Sequence, residues 1–213
     1  MFIRGTRLQV SPDKIDAATT HFKEKVAPTA RKTPGNVGAA LLVDRTSGQA
    51  IGITYWENAK ALAASEQMGI QTRTQSAAAT GSQIVNVERF ELVIMDRAAQ
   101  AKEGTFVRVN TVTGDPDKVD ALTVFLRNQV LPVLKAQKGF RAMIVGVDRQ
   151  TGRSTTSTTW DTVEDLRASE QAIAHLRQEA AKAAGASGPV EVEIFQGAAV
   201  DLADVAAATT RAR

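Results

Sequence analysis

The chain has 213 residues, 43% of them hydrophobic and 23% charged, and its 26 basic and 23 acidic side chains leave a formal charge of +3. That balance suits one large or two small folded domains and excludes a disordered chain. The absence of cysteine removes disulfides, thiol catalysis and thiolate metal sites together, and it suits a reducing cytoplasm. Basic residues are interspersed, so neither a phosphate-binding face nor a nucleic-acid partner is expected. No apolar run approaches the ~18 residues of a membrane helix, so no membrane partner is expected either. The opening Phe2-Ile3-Arg4 does not read as a signal peptide.

Strand-forming residues run from Phe2 to Val10. Ser11-Pro12-Asp13 then predicts a helix start, with Ser as the cap and Asp where the helix dipole favours negative charge. Ile15, Ala18 or Thr19, Phe22 and Val26 follow at spacings of three and four, an apolar stripe that Pro28 is expected to kink or end. After Gly35 comes a strand with Val37, Ala39, Leu41 and Val43 on one parity. The tight turn Asp44-Arg45-Thr46-Ser47-Gly48 follows, then a strand ending at Trp56. A second helix runs to about Ala78, and after Thr80-Gly81-Ser82 a last strand covers 84–94.

The same order then returns. Phe2 aligns with Phe106, and the offset of 104 residues pairs Arg4 with Arg108, Pro28 with Pro132, Gly48 with Gly152 and Trp56 with Trp160; Ala64-Ser65-Glu66-Gln67 returns as Ala168-Ser169-Glu170-Gln171. A period this long marks a duplicated domain rather than a solenoid. The expected domains are 1–96 and 105–200, with a polar linker at 97–104 and a tail at 201–213. Each domain reads β-α-β-β-α-β, the ferredoxin-like unit of the α+β class. Both helices on one sheet face leave the other face bare. Covering it with the sister repeat predicts an intramolecular dimeric α/β barrel, a self-contained pseudo-dimer; whether two chains pair further as a homodimer is left open.

The Gly35 or Gly139 approach, the Asp-Arg-x-x-Gly turn, and Thr54-Tyr55-Trp56-Glu57 or Thr158-Thr159-Trp160-Asp161 carry a resemblance to the antibiotic-biosynthesis-monooxygenase branch of the dimeric α/β-barrel superfamily. The resemblance implies an oxygenase or a binding protein for a small aromatic or polyketide-like molecule, with no cofactor. Cofactor-independent quinone-forming members use an Asn four residues before the third-strand Trp, the Trp itself, and a Tyr six residues after it. Trp56 and Trp160 match, whereas Gly52 and Thr156 stand at the Asn position and Leu62 and Leu166 at the Tyr position. Haem-degrading members use a first-strand Asn, which Asn110 matches, and an iron-binding His on the second helix, where His175 lies about one turn early; Ser65 and Ser169 stand where their Trp would be.

Asn110, Trp160 and His175 are therefore the candidate catalytic residues, and Trp56, Thr156, Thr158 and Trp160 the candidate ligand contacts. Against these stand plainer readings: the tryptophans as core aromatics, His175 as a surface residue, His21 as packing. The third strands differ, Ile51, Ile53 and Tyr55 being apolar where Ser154 to Thr159 all carry hydroxyls. Either Ser154–Thr159 is an exposed edge strand, or the first repeat keeps a packed core while the second lines a cavity of several hundred Å3 between the sheets. A non-catalytic ligand-binding or stress-associated barrel is the alternative, and haem binding or degradation a second. Separated histidines and scattered carboxylates give no metal site, and no phosphate loop or dinucleotide fingerprint is present.

Overall fold

The computed structural model describes residues 1–100, 102–186 and 188–202, so the expected tail lies outside the described residues from position 203 onward. The first repeat consists of β1 (Phe2–Gln9), α1 (Ile15–His21), α2 (Ala27–Arg31), β2 (Asn36–Val43), β3 (Gln49–Trp56), α3 (Ala59–Ala64), α4 (Glu66–Thr80) and β4 (Gln83–Arg97). The second consists of β5 (Phe106–Thr113), α5 (Val119–Phe125), α6 (Leu131–Lys135), β6 (Phe140–Val147), β7 (Arg153–Trp160), α7 (Val163–Ala168), α8 (Glu170–Ala183) and β8 (Glu191–Leu202). These are two ferredoxin-like halves of a mixed α+β fold, and the hydrogen-bonded strand order β1-β3-β2-β8-β5-β7-β6-β4 closes into a barrel.

The last strand of each repeat is longer than its sequence pattern and serves both halves. One compact unit is Met1–Arg89 with the described residues from Phe195, and the other is Phe90–Ile194. Within the first, β2 pairs antiparallel with the end of β8 from Gly38↔Leu202 to Val43↔Gln196. Within the second, β4 pairs with β6 from Glu91↔Val147 to Arg97↔Ala142. The sequence repeat ends near 96, whereas the compact units divide inside β4 and β8, because an extended strand satisfies different neighbours along its length.

Pro28 neither ends nor simply kinks its helix. It has no N–H to give to the carbonyl four residues earlier, and its ring crowds that carbonyl. Between α1 and α2 the chain widens into a π-helical turn, Phe22–Val26, where the Ala27 N–H reaches back five residues to the Phe22 carbonyl. Pro132 repeats the device, with the Leu131 N–H donating to Leu126. At the helix starts the repeats differ: Asp115 accepts from the Asp117 N–H as a cap should, but Ser11 makes no capping bond and instead gives its hydroxyl proton to Asp13.

In the first unit Val10, Ile15, Phe22, Ala27, Leu41 and Val43 form the core between helices and sheet. The second unit's core is larger and includes Leu122, Leu126, Leu134, Met143, Leu166, Trp160 and Ile173. Alternation along β3 sends Gly52, Thr54 and Trp56 toward the helices, so Ile51, Ile53 and Tyr55 belong to the opposite face. The residues of the expected packed core, Ile51, Ile53 and Tyr55, thus lie on the sheet face away from the helices of the first repeat.

Candidate functional site

Each repeat buries an arginine from its first strand beneath the break between its last two helices. Arg4 Nη2 donates to the Leu62 carbonyl and the Ser65 hydroxyl at 2.9 Å each and to Glu66 at 3.0 Å. Arg108 makes the corresponding contacts with both terminal nitrogens: Nη2 donates to the Leu166 carbonyl at 2.6 Å and pairs with Glu170 at 3.2 Å, while Nη1 donates to the Ser169 hydroxyl at 3.1 Å. Each serine also donates to the carbonyl three residues back, at 2.7 Å. The expected single second helix is thus broken at Ser65 and at Ser169, where a carbonyl of the first segment, Leu62 or Leu166, receives both the serine and the arginine. Arg4 also lies over the ring of Trp56, 5.5 Å from its centroid, a favourable cation–π geometry.

The two clusters differ in charge. Glu66 is shared by Arg4, Arg73 at 3.1 Å and Arg89 at 2.7 Å. In the second repeat Glu170 meets Arg108 and a bidentate Arg177 at 2.8 and 2.7 Å, and Ile194 stands where Arg89 would be. Burial alone would push the Glu66 carboxyl up, but hydrogen bonds from Arg89 and Arg73 and the charge of Arg4 outweigh it and hold the group down at about 2. Burial pushes the Arg4 guanidinium below its ordinary value, partly offset by Glu66.

Because the Glu66 value is depressed on folding, its contribution to stability is fully present above the ordinary carboxylate range and is lost as pH falls through about 2. Glu66→Gln should therefore be less stable than the native protein at pH 7, with the difference closing between about pH 4.5 and pH 2. Urea unfolding across that range measures it; a difference independent of pH would mean that charge at Glu66 is not the cause.

Beneath the helices of the first unit lies a cavity of about 100 Å3, mostly apolar, walled by Leu8, Ile15, Phe22, Leu41 and Trp56. Met68, Gly69, Thr72, Arg73, Ser76, Ala77 and Thr80 border it along one stripe of α4. The matching cavity of the second unit is about 60 Å3. Sequence explains the difference. Ala18, Ala30, Gly52 and Gly69 line the first cavity, and at the offset of 104 residues Leu122, Leu134, Thr156 and Ile173 line the second. Each replacement is larger, so the second cavity is filled by its own walls. The expectation of a packed first repeat and a hollow second one is reversed. The two cavities lie each within one unit, and both are smaller than the several hundred Å3 expected.

Asn110, Thr156 and Thr158 line the second cavity together, and the buried amide oxygen of Asn110 has no hydrogen-bond partner. Trp160 is fully buried and does not border that cavity; its indole N–H is taken by Thr158 at 3.0 Å, and its ring meets Phe140 edge-on at 5.6 Å. Trp56 borders the first cavity and donates to Thr54 at 3.0 Å. His175 is exposed on α8 and borders neither cavity, because its helical position points off the stripe formed by Ile173, Leu176, Arg177 and Ala180. Exposed His175 and a 60 Å3 cavity do not fit a haem group.

His21, expected from the sequence to be a packing residue, lies on the wall of the first cavity. Its Nε2 is 3.0 Å from the Ser76 hydroxyl, where the second repeat has Phe125 and Ala180. That contrast between repeats is the signal that marks it. Among the described residues no group of three or more His, Cys, Asp or Glu side chains could hold a metal ion, and no helix is long and apolar enough to cross a membrane.

The model of the antibiotic biosynthesis monooxygenase family matches residues 1–77. An uncharacterised protein of Mycobacterium tuberculosis strain H37Rv is 32% identical over 166 residues, covering 78% of this chain and 74% of that protein. The chain belongs to the antibiotic biosynthesis monooxygenase family. Its fold is that of solved family-like structures: an anthrone oxidase-like protein superposes with a TM-score of 0.68 at 14% identity, covering 95% of this chain and 94% of that one. A haem-degrading enzyme from Listeria monocytogenes superposes with a TM-score of 0.52 at 9% identity, covering 91% and 98%. At such identities the likeness is one of fold. The family match, residues 1–77, falls in the repeat that holds the larger cavity and includes His21.

Proposed function

We propose that the cavity of the first unit binds a small aromatic compound and that the protein oxygenates it, with His21 as the proton acceptor. The observation carrying this reading is the His21–Ser76 pair at 3.0 Å on the wall of a mostly apolar cavity. A cavity of about 100 Å3 is on the scale of one ring; an engineered apolar cavity of about 150 Å3 in another protein takes up benzene. A larger polyketide-like molecule would lodge one ring there. Trp56 offers a flat wall for stacking. The apolar surroundings exclude water, and an imidazole positioned on the wall can take a phenolic proton as general base. The resulting anion would give electrons to O2 and form a ring carbon–oxygen bond as a hydroperoxide; loss of water then carries away the second oxygen atom and leaves a quinone, so the substrate itself supplies every electron, the reaction class that the family resemblance implies.

The test uses residues that the second repeat already tolerates. Ala18→Leu with Gly52→Thr should fill the cavity and abolish phenol binding measured by calorimetry. His21→Phe should retain binding and lose O2 consumption in the presence of a phenolic substrate. Unchanged binding in the filled variant would place the ligand elsewhere. Binding without O2 consumption by the native protein would favour the non-catalytic reading. A second site is supported by one observation, the unpartnered Asn110 oxygen facing the smaller cavity. With Thr156 and Thr158 it would accept a small hydrogen-bond donor, and Trp160 would support that wall through Thr158.

A further inference from the structure

We propose that the aromatic ligand of the first unit carries a carboxylate, received by Arg4 and Arg73 beside Gly69. This rests on the reading of that cavity as the ligand site and adds the ligand's charge class. Both arginines border the cavity. Arg4 is 3% exposed, and the Arg73 side chain is 14% exposed. Arg73 gives Nη2 to Glu66, while its Nη1, also buried, has no partner; the Arg4 Nε is likewise buried and unpartnered. Buried charged donors left unmade are costly and rare. These lie on the wall of a cavity able to supply an acceptor.

Gly69 lets the ends of the two guanidiniums come together. A side chain there would begin 2.8 Å from Arg4 Nη1 and 3.0 Å from Arg73 Nη1, so both guanidinium ends pack side by side against the glycine at the cavity wall. The second repeat shows the arrangement without that glycine. Ile173 occupies the position of Gly69, Arg177 gives both terminal nitrogens to Glu170, and Arg108 Nη1 donates to Ser169. Charge points the same way. Arg4, Arg73 and Arg89 share the single carboxylate of Glu66, leaving an excess positive charge that an incoming anion would neutralise. A carboxylate suits paired guanidinium forks better than a point anion does.

The spacing along α4 then describes the rest of the ligand. Gly69 and Ser76 are seven residues apart, about 10 Å along a helix axis, with the arginine pair at one end and the His21–Ser76 pair at the other. A single ring with a carboxylate at one end and an acidic hydroxyl opposite spans that distance, allowing for a hydrogen bond at each end. The class is a hydroxyaryl carboxylate.

Calorimetric titration of the full chain with benzoate, benzamide and phenol tests this. Benzoate should bind about tenfold or more tightly than its neutral isostere benzamide, the scale of a hydrogen bond to a charged group. Arg73→Gln should remove that preference, and Arg177→Gln, in the other unit, should leave it unchanged. Gly69→Ala keeps both arginines and suits a helix, yet it displaces their ends; it should weaken benzoate alone. Equal binding of benzoate and benzamide by the native protein, with phenol still bound, would overturn the carboxylate assignment and leave the cavity reading standing. Failure of all three probes to bind would overturn both.

Discussion

Trp160→Ala is expected to destabilise the protein by about 3–5 kcal/mol, the range for truncating a fully buried large aromatic. Trp160 has no exposed surface, and its ring is locked edge-on against Phe140 while its N–H is held by Thr158. The second unit's core is tightly filled, with Leu134, Met143, Val145 and Leu166 all nearly inaccessible, so little can relax into the space left behind. Trp160→Phe should cost less, because it retains a ring and loses chiefly the indole N–H and its packing. The chain has two tryptophans, so Trp160→Ala leaves Trp56 as the sole indole reporter of the first unit during denaturant unfolding. Far-ultraviolet circular dichroism follows the whole chain in the same titration. A loss below about 1 kcal/mol would contradict the tight packing assigned to that core.

Much of this architecture was legible because the chain contains its own control. The offset of 104 residues showed two copies of one unit, and the turn from Asp44 to Gly48 with its copy from Asp148 to Gly152 fixed the central hairpins. Strand exchange was not legible: nothing in residues 90–97 distinguishes pairing with their own repeat from pairing with β6. Which repeat holds the larger cavity was not legible, for a geometric reason. The hydroxyl-rich β7 points to the second repeat, yet what hollows a cavity is small volume where helices meet sheet, at Ala18, Ala30 and Gly69 on the helices and Gly52 on β3. Which helix faces and which strand parity meet there depends on how the helices lie over the sheet, and no local pattern records it. Arg4 and Arg108 were visible as an identical pair, as were Ser65-Glu66 and Ser169-Glu170. Their joining into one buried network is a contact across about sixty residues of sequence, which no local pattern records.

Gly48→Ala should be among the most damaging single substitutions available, and the reason can be separated into two parts. The first is conformational: Gly48 has φ +77°, a region that costs an L residue about 1–2 kcal/mol. The second is steric. A Cβ at Gly48 would lie 1.9 Å from the Val10 carbonyl oxygen, and the Val10 N–H donates to the Gly48 carbonyl at 2.8 Å. Two backbone segments would have to part, losing that bond and disturbing buried Val10. Gly104 supplies the control, since it has φ +79° but no atom within 4 Å of the position a Cβ would take. Gly104→Ala should therefore lose only the conformational part, a fall in melting temperature of roughly 2–8 °C for a chain of this size. Gly48→Ala should fall about three times as far or fail to accumulate as folded protein. Equal losses in the two variants would mean that the turn yields freely, and that the close approach of Val10 to Gly48 does not hold the first strand to the hairpin.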